Sequence, residues 1–398
     1  MNTSKTRVDR KALDWIDDEL EQLASNDMLR RLACRESPPV GGQVQIDGQQ
    51  YVNFGSNDYL GLAADTRLVE AVRFHANKLG WGTGASALIS GHAVLHRKLE
   101  HEIAQFEETE SAVLFSSGYA ANVGTIGTLV GKGDAIFSDS RNHASIIDGC
   151  RLSNADIFVY RHRDTKHLKE LLRAHSTQRR TLIVTDSLFS MDGDIAPLNE
   201  IADLADNFGA MLMVDEAHAT GVFGSNGSGI CELLNCKNRV DVRVGTLSKA
   251  LGSIGGFVAG EKKLIDWIVN KARTYIFSTA QPDAINAASL ASLEIVRDEP
   301  GRREGLLQMS AYVREQLSLQ GWNIGDSASQ IIPVIIGSAE RALAIGGKLR
   351  EQGLFAPVIR PPAVRHDHSL LRISLSSANS ELHCDQLLSA LNKLRVLE

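Results

Sequence analysis

Between Asp65 and Gly260 the apolar positions gather into short runs of aliphatic and β-branched residues, separated by stretches with helical spacing. The runs are SAVLFSS from Ser111, DAIFSD from Asp134, DIFVYR from Asp156, TLIVTD from Thr181, MLMVDE from Met211, DVRVGT from Asp241 and GGFVAG from Gly255. Within each run apolar residues are mostly consecutive instead of alternating, which predicts strands buried on both faces. Helices are predicted between them, at Lys166–His175 and Leu198–Phe208 among others. The pattern reads as an α/β protein with a mainly parallel sheet covered on both sides.

The flanks differ. Leu13, Ile16, Leu20 and Leu23 recur at helical spacing, predicting an amphipathic opening helix that lies across the body or a partner subunit. GQVQID and QYVNF flank Gly48 as a hairpin. Beyond Gly260, helices are expected at Lys262–Tyr275 and Ala284–Arg297. SQIIPVIIG, a helix around Glu340–Gln352, FAPVIRPPAV and LLRISLS then read as a smaller α+β unit. The expected division is an arm over 1–50, a large α/β domain over 51–285 and a C-terminal α+β domain over 286–398.

Composition narrows the classes. Apolar residues make up 43% and charged residues 23%, an ordinary globular balance. A net charge of −6 without a basic patch argues against a nucleic-acid partner. The five cysteines are scattered; only Cys231 and Cys236 are close, and they lack a second ligand pair for zinc. Reduced thiols and no metal are expected. No apolar run approaches the ~20 residues that span a bilayer, and the acidic DDELE near the start fits no targeting peptide. The expectation is a cytoplasmic protein with no membrane partner.

Asp215 to His218 spells DEAH, the letters of a nucleotide-driven motor box. Such a motor needs an upstream G-x-x-x-x-G-K-[ST] phosphate loop. In TLVGKGD the residue after Lys132 is Gly133, and the first glycine's position holds Ile126. GWGTGASALISG is no dinucleotide fingerprint either, because it follows a helical stretch instead of a strand. The DEAH letters therefore need another chemistry.

Most apolar runs end in a polar residue that opens a loop: Ser116, Asp139, Asp186, Asp215 and Thr246. In a doubly wound sheet, ligands gather at such carboxyl ends. Lys249, in GTLSKALGSIGG, follows one of these strands among small neighbours that would admit a planar molecule. Desolvation there would keep its amine neutral and nucleophilic, able to form a Schiff base with an aldehyde cofactor. Pyridoxal 5'-phosphate (PLP) would also need a carboxylate at its ring nitrogen, and Asp215 ends a strand. It would need a donor at its phenolate oxygen, for which His218 is placed, and a flat group over the ring, for which His143 in SRNHAS is available. Gly118 and Tyr119 in FSSGYAAN would offer backbone N–H groups to the phosphate. A strand-end aspartate is often only a helix cap and a single histidine often structural; the ordered set is what points to PLP.

NFGSNDYLGLA, FSSGYAAN, NHASIIDG, FSMDGDIAPL, VDEAHATGVFG, GTLSKALG, FSTAQP and IRPPAV occur in order across nearly the whole chain. Together they resemble the PLP-dependent α-oxoamine synthases of fold type I. The resemblance implies a seven-stranded, mainly parallel sheet and a decarboxylative condensation of an amino acid with an acyl thioester, carried by CoA or a carrier protein. It implies that Lys249 bears the cofactor, that Asp215 and His218 grip the ring, and that His143 stacks on it and meets substrate. Gly118, Tyr119, Ser190 and Thr246 match cofactor-binding positions. Ser278 and Thr279 match a segment that reaches the phosphate of the neighbouring subunit, implying a homodimer. Asn57, Arg372 and Arg30 match substrate-contacting positions, with Arg372 holding the amino acid's carboxylate. Within the family, FGSNDYLGLA, FSTAQP and VIRPPAV point to members that take L-alanine and a pimeloyl thioester in biotin biosynthesis. NHASIIDGCRL is equally like those that take glycine and an acetyl thioester. One substrate-contacting position departs: Ala363 stands where the pimeloyl-type members usually have threonine.

Overall fold

The apolar runs form one sheet: β1 (Ser111–Phe115), β2 (Ala135–Asp139), β3 (Asp156–Tyr160), β4 (Thr181–Asp186), β5 (Met211–Asp215), β6 (Val242–Thr246) and β7 (Gly256–Gly260). The computed structural model describes residues 11–26, 28–30, 32–175, 179–365 and 367–396. Strand order is β1-β7-β6-β5-β4-β2-β3. Neighbours from β3 to β6 pair in parallel, while β7 runs antiparallel to both β6 and β1. The expected seven-stranded, mainly parallel sheet is present. β2, β6 and β7 are buried at every position, as helical cover on both faces demands. β3 is the exception: it is an edge strand and, unlike the other edge β1, is not covered along its length, so Ile157 and Val159 are exposed although the run reads as doubly buried.

Helices Thr165–Ala174, Leu198–Phe208 and Asp283–Asp298 lie within a residue of the expected bounds. The segment expected as one helix over Lys262–Tyr275 breaks at Ala272, whose extended backbone (ψ 109°) separates Lys262–Lys271 from Arg273–Ile276. The hairpin forms as Gln43–Ile46 against Gln49–Asn53, and Leu354–Phe355 adds to it in parallel. That long-range pairing ties the amino-terminal arm to the carboxyl-terminal part and left no sign in the sequence. A small antiparallel sheet joins Val358–Ile359, Ser369–Ser374 and Ile331–Gly337. Its Ile332, Leu371 and Ile373 belong to the same buried apolar cluster as Leu198 and Val214 of the large sheet region. The two parts therefore share one core.

Helix Trp15–Ser25 buries none of its residues in the chain, and Trp15, Leu20 and Leu23 stay exposed. Of the two placements expected for it, the body of its own chain is not the one observed. No helix among the described residues is long and apolar enough to cross a membrane.

Candidate active site

The carboxyl ends of β4, β5 and β6 supply the centre of the site. Parallel register sets Asp186 beside Asp215. Asp215 is 4% exposed, and both carboxylate oxygens are held: Oδ1 accepts from Ala217 N at 2.7 Å and Oδ2 from Asn122 Nδ2 at 2.6 Å. Asn122 comes from helix Gly118–Leu129 and also donates to Ser145 Oγ at 2.9 Å. Asp186 accepts from His143 N at 2.7 Å. Burial, then the neighbouring Asp215, push the Asp186 acid well above the usual carboxylate range.

Lys249 follows β6 in a turn closed by its neighbours. Thr246 Oγ1 donates to Gly255 O at 2.8 Å and shares a 2.7 Å hydrogen bond with Ser248 Oγ, while Gly252 N donates to Lys249 O at 2.9 Å. Gly252 holds φ +60°, and a Cβ there would fall 2.5 Å from the backbone of Leu62 and Ala63, so only glycine allows this close approach. Lys249 as a residue is half-buried, with its amine enclosed among Asp215, Asp186 and Arg372. Burial lowers its ammonium to about 8, opposed by Asp215 and Asp186 and assisted by Arg372. A substantial fraction of the amine is therefore neutral near physiological pH.

His218 is almost fully buried, with Nδ1 2.6 Å from Tyr59 Oη, and its backbone carbonyl accepts from Gln330 Nε2 at 2.9 Å. Burial, then the charges of Lys249 and Arg372, hold its imidazolium well below the usual range. Burial also raises the Tyr59 phenol. With the phenol proton placed on the shorter contact to Nδ1, in preference to Asn57 Oδ1 at 3.2 Å, the neutral imidazole keeps Nε2–H as a donor. His143 caps helix Ala144–Ser153, with Nδ1 2.7 Å from Ser145 Oγ. Burial lowers its pKa, against the pull of Asp215.

Glu216, which spacing alone makes a mere spacer between Asp215 and His218, is 1% exposed and fully used. Its carboxylate accepts from Ser187 Oγ (2.5 Å), Ile230 N (3.0 Å) and Cys231 N (2.7 Å). A Cβ on Gly229 would lie 2.6 Å from that carboxylate. Glu216 thus pins the loop after β5 to the short helix Ile230–Leu233.

The small sheet delivers Arg372 to the same cleft. Its Nε donates to Ser190 O at 2.6 Å and one terminal nitrogen to Asn57 Oδ1 at 3.2 Å. Gly118 and Tyr119 open helix Gly118–Leu129, and their N–H groups find no acceptor among the described residues. Such a helix start suits an anion. The Tyr119 side chain turns outward instead, with its hydroxyl on Asp148. Ser278 and Thr279 line a small cavity with Ser116 and Gln281, and Thr279 bridges to Ser86. Arg30 and Ala363 are exposed.

Residues 49–391 match the sequence profile of the aminotransferase class I and II family. The chain is 50% identical over 382 residues to the 8-amino-7-oxononanoate synthase of Anaeromyxobacter dehalogenans, covering 96% of both chains. It is 46% identical over 366 residues to that of Geobacter metallireducens, covering 92% of this chain and 93% of that one. In fold it is similar to serine palmitoyltransferase from S. paucimobilis with PLP bound (TM-score 0.92, 29% identity, 98% of this chain and 100% of that chain). It is also similar to the Francisella tularensis 8-amino-7-oxononanoate synthase (TM-score 0.75, 29% identity, 87% and 98%). The chain belongs to the aminotransferase class I and II family, in its α-oxoamine synthase branch.

PLP is the cofactor of this α-oxoamine synthase. The residues present fit it: a buried, doubly anchored carboxylate, a lysine with a partly neutral amine, and unpaired helix-start amides surround one cleft. Sequence reading passed over Asn122, Tyr59, Gln330 and Glu216. None has a local signal, because each acts through a partner far along the chain, as Tyr59 does on His218. Asp186 did carry one, as a polar residue closing an apolar run.

Proposed function

We propose that the chain condenses L-alanine with a pimeloyl thioester, releasing CO₂ and the thiol, to give 8-amino-7-oxononanoate for biotin biosynthesis. The observation that carries this reading is the joining of Lys249, Asp215 and Arg372 in one cleft, with Arg372 fixed by Ser190 and Asn57. The near-full-length similarity to curated 8-amino-7-oxononanoate synthases supports the substrate pair.

PLP, when bound, supplies an electron sink for the substrate's α-carbon. Lys249 would hold the cofactor, and its partly neutral amine would be the base that moves the substrate's α-proton. Asp215 would keep the ring nitrogen protonated, and its two hydrogen bonds prevent it from swinging away. His218 gives its Nε2–H to the phenolate oxygen. His143 would lie against the bound ring and could donate a hydrogen bond to a substrate carbonyl oxygen. Gly118 and Tyr119 take the phosphate with their N–H groups, and Ser190 and Thr246 border the cofactor. Arg372 receives the amino acid's carboxylate beside Asn57. Arg30 and Ala363 contact the substrate from the exposed side, and an alanine at 363 gives up one hydroxyl contact without touching the mechanism.

The protein works as a homodimer. Trp15, Trp81, Ile89 and Phe277 are large, apolar and exposed in the single chain, as an interface would require. Ser278 and Thr279 then complete the phosphate site of the partner. Thiol release measured with L-alanine or glycine against pimeloyl-, acetyl- and succinyl-CoA tests the substrate reading. L-Alanine with pimeloyl-CoA is expected to give the highest kcat/KM. A preference for glycine with acetyl-CoA overturns that choice and leaves the family standing.

A further inference from the structure

The cysteines gave no reason to expect a metal, but a different trio does. His92 stands two residues ahead of helix Val94–Glu107, and His96 and Glu100 follow on it at successive intervals of four. That interval puts His96 and Glu100 on one face of the helix, and His92 reaches Glu100 from the segment before it. Their ligand atoms all lie within 4.8 Å of one another. His92 Nε2 is 2.8 Å from Glu100 Oε2, and His96 Nε2 is 3.5 Å from Glu100 Oε1. Tetrahedral zinc with bonds of ~2.0–2.1 Å places its ligand atoms ~3.4 Å apart. Modest side-chain rotation therefore closes the set.

An independent observation points the same way. His96 is 2% exposed, and neither of its ring nitrogens has a hydrogen-bond partner. Buried imidazoles are ordinarily satisfied at both nitrogens. A cavity of about 20 Å³, room for one water, adjoins His96. Gln281 lines it too, and its Oε1 is likewise buried without a partner. A metal-bound imidazole needs an acceptor for its other N–H. A water in that cavity would accept a hydrogen bond from His96 Nδ1–H and donate one to Gln281 Oε1. Glu100 Oε1 also accepts from Leu114 N at 3.4 Å, which helps to orient the carboxylate.

We propose that His92, His96 and Glu100 form a zinc site, with a water as fourth ligand, that ties the segment before the helix to the helix itself. Two neutral imidazoles and one carboxylate suit a borderline-soft divalent cation better than magnesium or calcium, which prefer oxygen alone. The proposal is independent of the substrate reading. None of its three ligands is among the residues that would hold the cofactor, although Ser278 and Thr279 line the same small cavity as His96.

The test uses PLP-loaded protein treated with chelator, desalted and titrated with Zn²⁺ against a chromophoric chelator, with Co²⁺ as a visible probe of tetrahedral geometry. One Zn²⁺ per chain is expected to bind, and Zn²⁺ is expected to raise the thermal midpoint. His92 is exposed, so His92→Ala should fold normally. It should bind Zn²⁺ at least ~100-fold more weakly and lose the thermal response. Lys249→Ala should bind Zn²⁺ as wild type does. Absence of saturation at one equivalent, equal affinity in His92→Ala, or loss of binding in Lys249→Ala each overturns the proposal.

Discussion

Two buried or half-buried histidines near strand ends of the same sheet carry opposite chemistry. His218, in the loop after β5, faces Tyr59, Lys249 and Arg372 and is held neutral. His162, in the loop after β3, lies between two carboxylates, with Nδ1 2.9 Å from Asp139 Oδ1 and Nε2 2.8 Å from Asp194 Oδ2. Burial pulls its pKa down, but those hydrogen bonds and charges overcome it and carry His162 up to about 9. Burial opposes the charged form in both places. The identity of the partners decides the outcome. The cleft collects depressed cations for proton transfer, whereas the clamp keeps a charged imidazolium to hold the β2 and β4 loops together.

The largest expected effect breaks the cleft side of this contrast. Lys249→Ala is expected to lower kcat by ~10³-fold or more and to abolish the yellow absorbance of the lysine-linked cofactor. Steady-state assays and a visible spectrum check both. Next is the clamp. His162's folded pKa lies above its unfolded value near 6.5, so its contribution is complete below pH ~6.5 and is lost as pH rises through 9. The loss amounts to at most about 3 kcal/mol, and urea unfolding midpoints of wild type should fall over that window. His162→Asn should be less stable at pH 6 and show a flatter dependence; an unchanged pH profile would remove the clamp from the account.

A smaller effect separates binding from chemistry. Arg372→Gln is expected to raise KM for the amino acid ~10- to 100-fold, the range of a lost charged hydrogen bond, with a lesser change in kcat. The mildest test concerns Lys249's lowered pKa. Stripped protein should regain PLP at a rate that falls about tenfold per pH unit below ~8 and levels off above it. Asp215, Asp186, His143, His218 and Arg372 are the titratable and charged groups that face this amine. Stopped-flow absorbance would show whether the break falls there; a midpoint near 10 would mean that Lys249 is not desolvated.

The sequence made the sheet legible because a doubly covered strand must be apolar at successive positions, and all seven runs became strands. It misjudged β3, since edge position is a property of strand order and not of composition. Strand ends likewise announced Asp186, Asp215 and Thr246. Their supports were silent. Asn122 reaches Asp215 across 93 positions and Tyr59 reaches His218 across 159, distances over which no local pattern persists. Glu216 looked like spacing because its partners, Ser187 and the Ile230 and Cys231 amides, come together only on folding.

The sequence by itself therefore determined the layers, the strand-end location of the chemistry and, through its ordered motifs, the family and cofactor. These depend on local periodicity and on residues a few positions apart. Tertiary structure alone decided the protonation states and the final geometry. Lys249's partly neutral amine, His218's disfavoured imidazolium and Arg372's place beside Ser190 and Asn57 depend on burial and on groups from distant elements. Electrostatic energies are set by distance and by the surrounding dielectric, and both come into existence only when the chain closes on itself.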